Sequence, residues 1–348
     1  MPDSEVASVS QQPPTNRRLT IVQALREALS EEMRANPDVF VMGEDIRIGG
    51  SFLFTLGLAD KFGPERVLDT PISEAGFIGL AIGAAIQGMR PVVDFQYGDF
   101  IFCAMDQIVQ QAAKLRYMSG GQVKIPLVLQ LPSGASGRGA QHANSIETFF
   151  FGVPGLKIVT PATPYDAKGL LRAAINDDNT VLFCVHKHLY GSKGRPLSDS
   201  ALSIGHVPEE PYTIDLGVAD IKKDGSDVTV VANSQMLHRS LAVATQLETE
   251  GVSVEVIDPR TLVPFDVDCV LKSVDKTGRL LIVEEGQRRG GWGGFLAAEV
   301  ADHGFGSLDA PIRRLAGPDS PIPFSPPLEA SVIPSEARIR AEVLALLQ

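Results

Sequence analysis

Glu74 heads the run ISEAGFIGLAIGAA, after a proline-containing loop and before residues that are almost all apolar, Gly or Ala. A carboxylate in a first helical turn favours the helix dipole by ~0.3–1 kcal/mol. A carboxyl held in a dry site also keeps its proton more readily and suits proton exchange with a ligand. In VVDFQYGDF, Asp94 interrupts an apolar strand. Phe95, Tyr97 and Phe100 beside it offer rings for core packing or for a platform under a planar heterocycle. His142 lies among small polar residues in GAQHANS, where an imidazole suits acid–base work as well as plain surface exposure. AAINDDNTV follows a helix with oxygen-donor side chains, as a C-terminal turn or as a monovalent-cation site of carbonyls and carboxylates.

These residues need rigid elements to hold them. TIVQALREALSEEMRAN spaces Ile21, Ala24, Leu25 and Leu29 as a helix does, and DVFVMGED reads as a short strand. Residues 74–88 form a helix rich in Gly and Ala on all sides, fit for close packing against other backbone. PVVDFQY is extended. Residues 104–118 read as one helix, with Ala104, Ile108, Ala112 and Leu115 on one face. Strands PLVLQL, KIVTPA and TVLFCVH follow, with helix YDAKGLLRAAI among them. Short apolar runs alternating with helices predict α/β architecture, with parallel sheets covered on both faces.

A leader over 1–17 with Pro-Pro and no apolar core reads as disordered. A Gly-, Pro- and Ser-rich stretch at 191–213 separates a domain over 18–200 from a second over 210–348. The second repeats the α/β pattern: DVTVVAN, a helix over 236–250, VSVEVIDP, a helix over 266–275, RLLIVEE, a Gly-rich turn holding the single Trp, another helix, and PIRRLAG. A tail with six prolines, expected to be mostly extended or turned, precedes a closing helix from Glu336.

The 348 residues are 44% hydrophobic and 21% charged, enough apolar material for two cores. A net charge of −11 with no basic tract disfavours nucleic-acid and membrane-surface binding. Cys103, Cys184 and Cys269 lie far apart in apolar runs and read as reduced core thiols in a cytoplasmic protein. GxxxxGK[ST], GxGxxG after a strand, HExxH, CxxC and GxSxG are all missing. GASGRG at 134–139 reads as a loop lining a site.

Taken together, MGED, RVLDTPISEAGFIGLAIGAA, GMRPVVDFQYGDF, DQIVQQAAKLRYMSGGQ, PGLKIVTPATPYDAKGLL and DPRTLVPFD resemble one family in its expected order. It is the β subunit of the thiamine-diphosphate-dependent first component of 2-oxo acid dehydrogenase complexes, which includes pyruvate, branched-chain 2-oxo acid and acetoin dehydrogenases. The resemblance implies a pyrimidine-binding domain followed by a transketolase C-terminal-like domain. It implies an α2β2 heterotetramer with the cofactor between subunits and Mg²⁺ held by the α subunit on a GDG element, which this chain lacks. It also implies a lipoyl acyltransferase as acceptor of the acyl group. Weighed beside it are a transketolase-like or acyloin-forming subunit without a lipoyl acceptor, and a subunit that has lost catalysis.

Residue by residue, the resemblance makes Glu74 the glutamate on N1′ of the aminopyrimidine, where it promotes the tautomer that deprotonates the thiazolium C2. Phe100 packs on the pyrimidine, Gln96 and Ile72 line its pocket, and Glu44 belongs to an acidic water channel. His142 matches the active-site histidine. Leu127, Ala174, Ile175, Asp177 and Asn179 match potassium-binding positions that act mainly through carbonyls. Two departures stand out: His142-Ala143-Asn144 replaces His-Ser-Gln, and Val185 replaces a frequent glutamate.

Overall fold

A computed structural model describes residues 17–191 and 204–348. The expected leader, apart from Arg17, and most of the expected linker fall outside the described residues. Two main sheets form. The first has seven strands in the order Thr261–Val263, Lys157–Val159, Val181–His186, Val128–Ser133, Arg90–Asp94, Val39–Gly43, Val67–Asp69. Its pairings are parallel except at the Thr261–Val263 edge, which is contributed by the second half of the chain. The second sheet runs Arg313–Gly317, Leu280–Gln287, Val228–Ala232, Val254–Asp258, Asp220–Lys223, with only the last pairing antiparallel. A small antiparallel pair joins Arg18–Thr20 to Ile204–His206.

The central strands are buried along their whole length, Val39–Gly43 and Val128–Ser133 among them. That fits continuous apolar runs covered by helices on both faces. Thr20 opens the helix Ile21–Ala35 with a reciprocal capping box: its Oγ accepts from Gln23 N–H, and the Gln23 side chain accepts from Thr20 N–H. Asp166, fully buried on the helix Pro164–Asn176, ties the halves together. It pairs with Lys222 at 2.6 Å and Arg260 at 2.8 Å. Burial works against its ionisation, but these two cations outweigh that and hold its carboxyl below the usual range.

Two expectations need correction. Residues 104–118 are not one helix: 3-10 turns span Gly98–Ala104, a π-wound segment Asp106–Ala112, and a short α-helix Leu115–Met118. The wide turn, closed by Ala113 N–H on the Ile108 carbonyl, seats Ala113 against backbone. A Cβ on Gly155 would come 1.9 Å from the Ala113 carbonyl oxygen. The proline-rich tail is mostly extended or turned, as expected, and holds one short helix, Pro326–Val332, because prolines in a first turn forfeit no hydrogen bond. Of the three thiols, Cys184 is buried and Cys269 half-buried, but Cys103 is exposed.

Candidate functional site

The candidate residues converge where the parallel strands of the first sheet end. From Val39–Gly43 the chain crosses to Val67–Asp69 on one side, then returns to Arg90–Asp94 on the other. Such a switch point opens a crevice at the carboxyl ends of the strands. Glu44 follows the first of these strands, Glu74 lies beyond the second, and Gln96 and Phe100 follow the third. Gly43 permits the close approach, since a Cβ there would meet the Asp94 carbonyl oxygen at 2.3 Å.

Glu74 is the first residue of the helix Glu74–Ile86 and is half-buried. Glu44 lies close enough that burial first, then the Glu74 and Asp45 charges, raise its carboxyl above the usual range. Gln96 bridges this corner: its amide donates to the Glu44 carbonyl, and its oxygen accepts from Ser51 N–H at 3.1 Å and from the Ser51 hydroxyl. Ile72 is 82% exposed at the rim. The helix that Glu74 opens also leaves Leu80, 57% exposed, and Ile86 open to solvent.

The other corner is a ring cluster. His142 meets Tyr97 edge-on at 5.1 Å and Phe100 at 5.5 Å, and the two aromatic rings lie 6.1 Å apart. Phe95 does not join it. Its ring is buried against Phe77 at 5.7 Å, which makes it a core residue. Asp94 is buried too, and burial pushes its carboxyl well above the usual range. The three corner residues Tyr97, Phe100 and His142 stay half-exposed.

The two departures beside His142 have definite places. Ala143 is buried in an apolar cluster shared with the second domain, a position a hydroxyl would not suit. Asn144 donates from its amide to Asp99 at 2.6 Å and to the Ala140 carbonyl at 3.3 Å. Val185 is fully buried in the core.

The five positions matched to potassium surround one loop. Arg90 donates through one nitrogen to the carbonyls of Ile175 at 2.9 Å and Asp177 at 3.0 Å, and through the other to Asp178 at 3.0 Å. The Ala174 carbonyl accepts from Asp177 N–H, and the Leu127 carbonyl accepts from Val181 N–H. The Asp177 carboxylate pairs with Lys157 and accepts from Asn179. A guanidinium thus supplies the cation on which two of these carbonyls converge.

Sequence reasoning missed Asp99, Glu285 and Glu329, whose carboxylates accept from backbone N–H groups of the His142 loop. No local motif marks them.

Comparison with known proteins agrees with this layout. Residues 17–193 match the transketolase pyrimidine-binding domain, and residues 217–339 the transketolase C-terminal domain. A solved structure described as a split-gene transketolase, an inactive beta4 tetramer, superposes with a TM-score of 0.74 at 23% identity. That likeness covers 94% of this chain and 98% of the other, and defines the fold. The class is therefore a transketolase-type chain of two α/β domains.

The relatives narrow it. The β subunit of acetoin:2,6-dichlorophenolindophenol oxidoreductase from Cupriavidus necator is 44% identical, over 93% of this chain and 96% of its own length. The β subunit of 2-oxoisovalerate dehydrogenase from Bacillus subtilis is 41% identical over 95% and 99%. The pyruvate dehydrogenase E1 β subunit of the same organism is 42% identical over 88% and 92%. The chain belongs to the family of β subunits of the first component of thiamine-dependent 2-oxo acid and acetoin dehydrogenases. These matches favour a dehydrogenase subunit over the transketolase-like alternative. Membership implies thiamine diphosphate as cofactor, and a β subunit implies an α partner. Among the described residues no helix is long and apolar enough to cross a membrane.

Proposed function

We propose that this chain pairs with an α subunit as a cytoplasmic α2β2 enzyme that cleaves a 2-oxo acid or acetoin and passes the acyl group to the lipoyl arm of an acyltransferase. Thiamine diphosphate would supply the nucleophilic carbon for that cleavage, with Mg²⁺ held by the α subunit. The chain's own residues fit the pyrimidine end. Half-buried Glu74 opens a helix, near a Glu44 carboxyl that burial and the Glu74 charge raise above the ordinary range. Phe100, half-exposed beside Tyr97 and His142, offers an aromatic ring.

With the cofactor bound, Glu74 would hold and return a proton at N1′, Phe100 would pack on the pyrimidine, and Ile72 and Gln96 would border its pocket. Glu44 belongs to the acidic channel leading from it. His142, at the other end of the ring cluster, handles protons during acyl transfer. A potassium ion at residues 174–179 would have to share the Ile175 and Asp177 carbonyls with Arg90.

The observation that carries the reading is the convergence of the Glu44–Glu74 pair and the Tyr97–Phe100–His142 cluster on one strand-end crevice. Relatives named for acetoin, 2-oxoisovalerate and pyruvate are 44%, 41% and 42% identical to this chain, so the substrate is a matter for assay. The test is co-expression with an α subunit of this family, followed by turnover of pyruvate, 3-methyl-2-oxobutanoate and acetoin with ferricyanide. Thiamine-diphosphate-dependent turnover of one of them is expected. A well-assembled heterotetramer inert toward all three would overturn the reading.

A further inference from the structure

The loop from Gly134 to Asn144 carries His142 just before its end, and its base is closed by Gly134 N–H on the Asn144 carbonyl at 2.9 Å. Three carboxylates from elsewhere in the chain hold its backbone. Asp99 accepts from Asn144 N–H at 3.1 Å. Glu329, on the helix Pro326–Val332, accepts from Gly137 N–H at 2.8 and 3.1 Å. Glu285, on the strand Leu280–Gln287, accepts from Ala135 N–H at 2.7 Å. Two of the three come from the second domain.

Glu285 is the most constrained of them. It is buried, and its other oxygen accepts from His186 Nε2 at 2.9 Å. His186 Nδ1 accepts from His188 N–H, which leaves the ring proton on Nε2, facing the carboxylate. Burial would raise the Glu285 carboxyl, but the His186 ring, the Ala135 N–H and the nearby Arg239 hold it down to about 2. Gly134 is required where they meet. Its φ is +81°, and a Cβ would come 2.2 Å from the His186 ring and 2.9 Å from the Glu285 carboxylate.

We propose that Glu285 is a positioning residue for His142: anchored on His186, it reaches from the second domain to fix the root of the loop and so sets where the imidazole stands. The proposal rests on the role of His142 stated above. Acyl transfer needs the imidazole at a defined place, and a misplacement near 1 Å can cost ~10²-fold. Glutamine at 285 would keep the shape but lose one of the two bonds. Its single oxygen can accept from Ala135 or from His186, and its amide then faces the other donor.

The test is a double-mutant cycle in the assembled α2β2 enzyme. Glu285→Gln, His142→Ala and the double variant are compared, with acyl transfer to free lipoamide as the readout. Turnover with ferricyanide, melting temperature and α-subunit association are measured on the same preparations. Glu284→Gln serves as a control, because Glu284 holds Arg314 and Gly293 N–H and not the loop. Glu285→Gln is expected to lower kcat for lipoamide about tenfold with KM unchanged, well inside that ~10² ceiling. It should have no further effect in the His142→Ala background, and Glu284→Gln should spare transfer.

Additive effects in the cycle, or unimpaired transfer by Glu285→Gln, would overturn the role of Glu285 while leaving that of His142 intact. Unimpaired transfer by His142→Ala would remove the role of His142 itself, and the proposal with it. Should Glu285→Gln not assemble, Glu285→Asp, which keeps the charge but is one methylene short, replaces it in the cycle. Failure of both to assemble marks Glu285 as a residue of the fold and overturns the proposal.

Discussion

The two corners of the crevice are built in opposite ways. The His142 corner is tied from within: Asp99, Glu285 and Glu329 each hold loop backbone, and Tyr97 and Phe100 flank the imidazole. The Glu74 corner is open. Ile72 stands at the rim, and the helix behind Glu74 shows Leu80 and Ile86 to solvent although its sequence is nearly all apolar. An apolar helix face left uncovered marks an interaction surface, and a β subunit implies an α partner. Preorganisation inside one chain suits a group that must stand at a fixed place beside the reacting atoms. A corner finished by another subunit suits a cofactor shared between them.

The largest expected effect falls on the open corner. Glu74→Gln keeps the shape and a hydrogen bond but cannot shuttle the proton, so exchange of the cofactor's C2 hydrogen in the assembled enzyme should slow by about 10³-fold, mid-range for a general acid–base group. Exchange at the wild-type rate would show that another carboxyl activates the cofactor. Next comes the tied corner. His142→Ala should cost about 10²-fold in acyl transfer to lipoamide, with a smaller loss when ferricyanide is the acceptor. Equal losses in the two assays would move His142 from acyl transfer to the cleavage step.

A smaller effect tests the buried acids behind the tied corner. Burial, together with the Glu285 and Glu284 charges, raises the Glu147 carboxyl from 4.5 to about 7. The folded chain therefore favours the protonated form. Its stabilisation is complete below the unfolded value and is lost as pH rises toward 7. The full swing is at most about 3 kcal/mol. Glu147→Gln should flatten the fall in melting temperature between roughly pH 5 and pH 8. A variant that melts in parallel with wild type across that range would deny the carboxyl this role.

The smallest effect concerns the loop at 174–179. With Arg90 on its carbonyls, replacing K⁺ by Na⁺ should leave the melting temperature unchanged, while Arg90→Ala should make it respond to K⁺. A wild-type enzyme stabilised by K⁺ alone would place the metal ion beside the guanidinium.

What the chain revealed in advance follows the range of the forces involved. The local settings of Glu74 and His142, a helix start and a loop, were legible because their sequence neighbours set them, while the roles assigned to them came with the family resemblance. The alternating strands and helices were legible for the same reason, since periodicity is local. Glu285 and Glu329 were not, because they reach the loop across 150 and 192 residues of sequence. The π-wound turn at Asp106–Ala112 was hidden because its apolar spacing also reads as an ordinary helix, and the close approach of Gly155 to the Ala113 carbonyl comes from another part of the chain. The strand Thr261–Val263 joins the first sheet from the second half of the chain, a pairing no local pattern announces.

The central claim is that this chain carries the activating half of a site that the α subunit completes. Calorimetric titration of thiamine diphosphate with Mg²⁺, into the purified chain and into the α2β2 assembly, tests it most directly. The account predicts tight, Mg²⁺-dependent binding by the assembly and none of comparable strength by the chain alone. Micromolar, Mg²⁺-dependent binding by the isolated chain would contradict it.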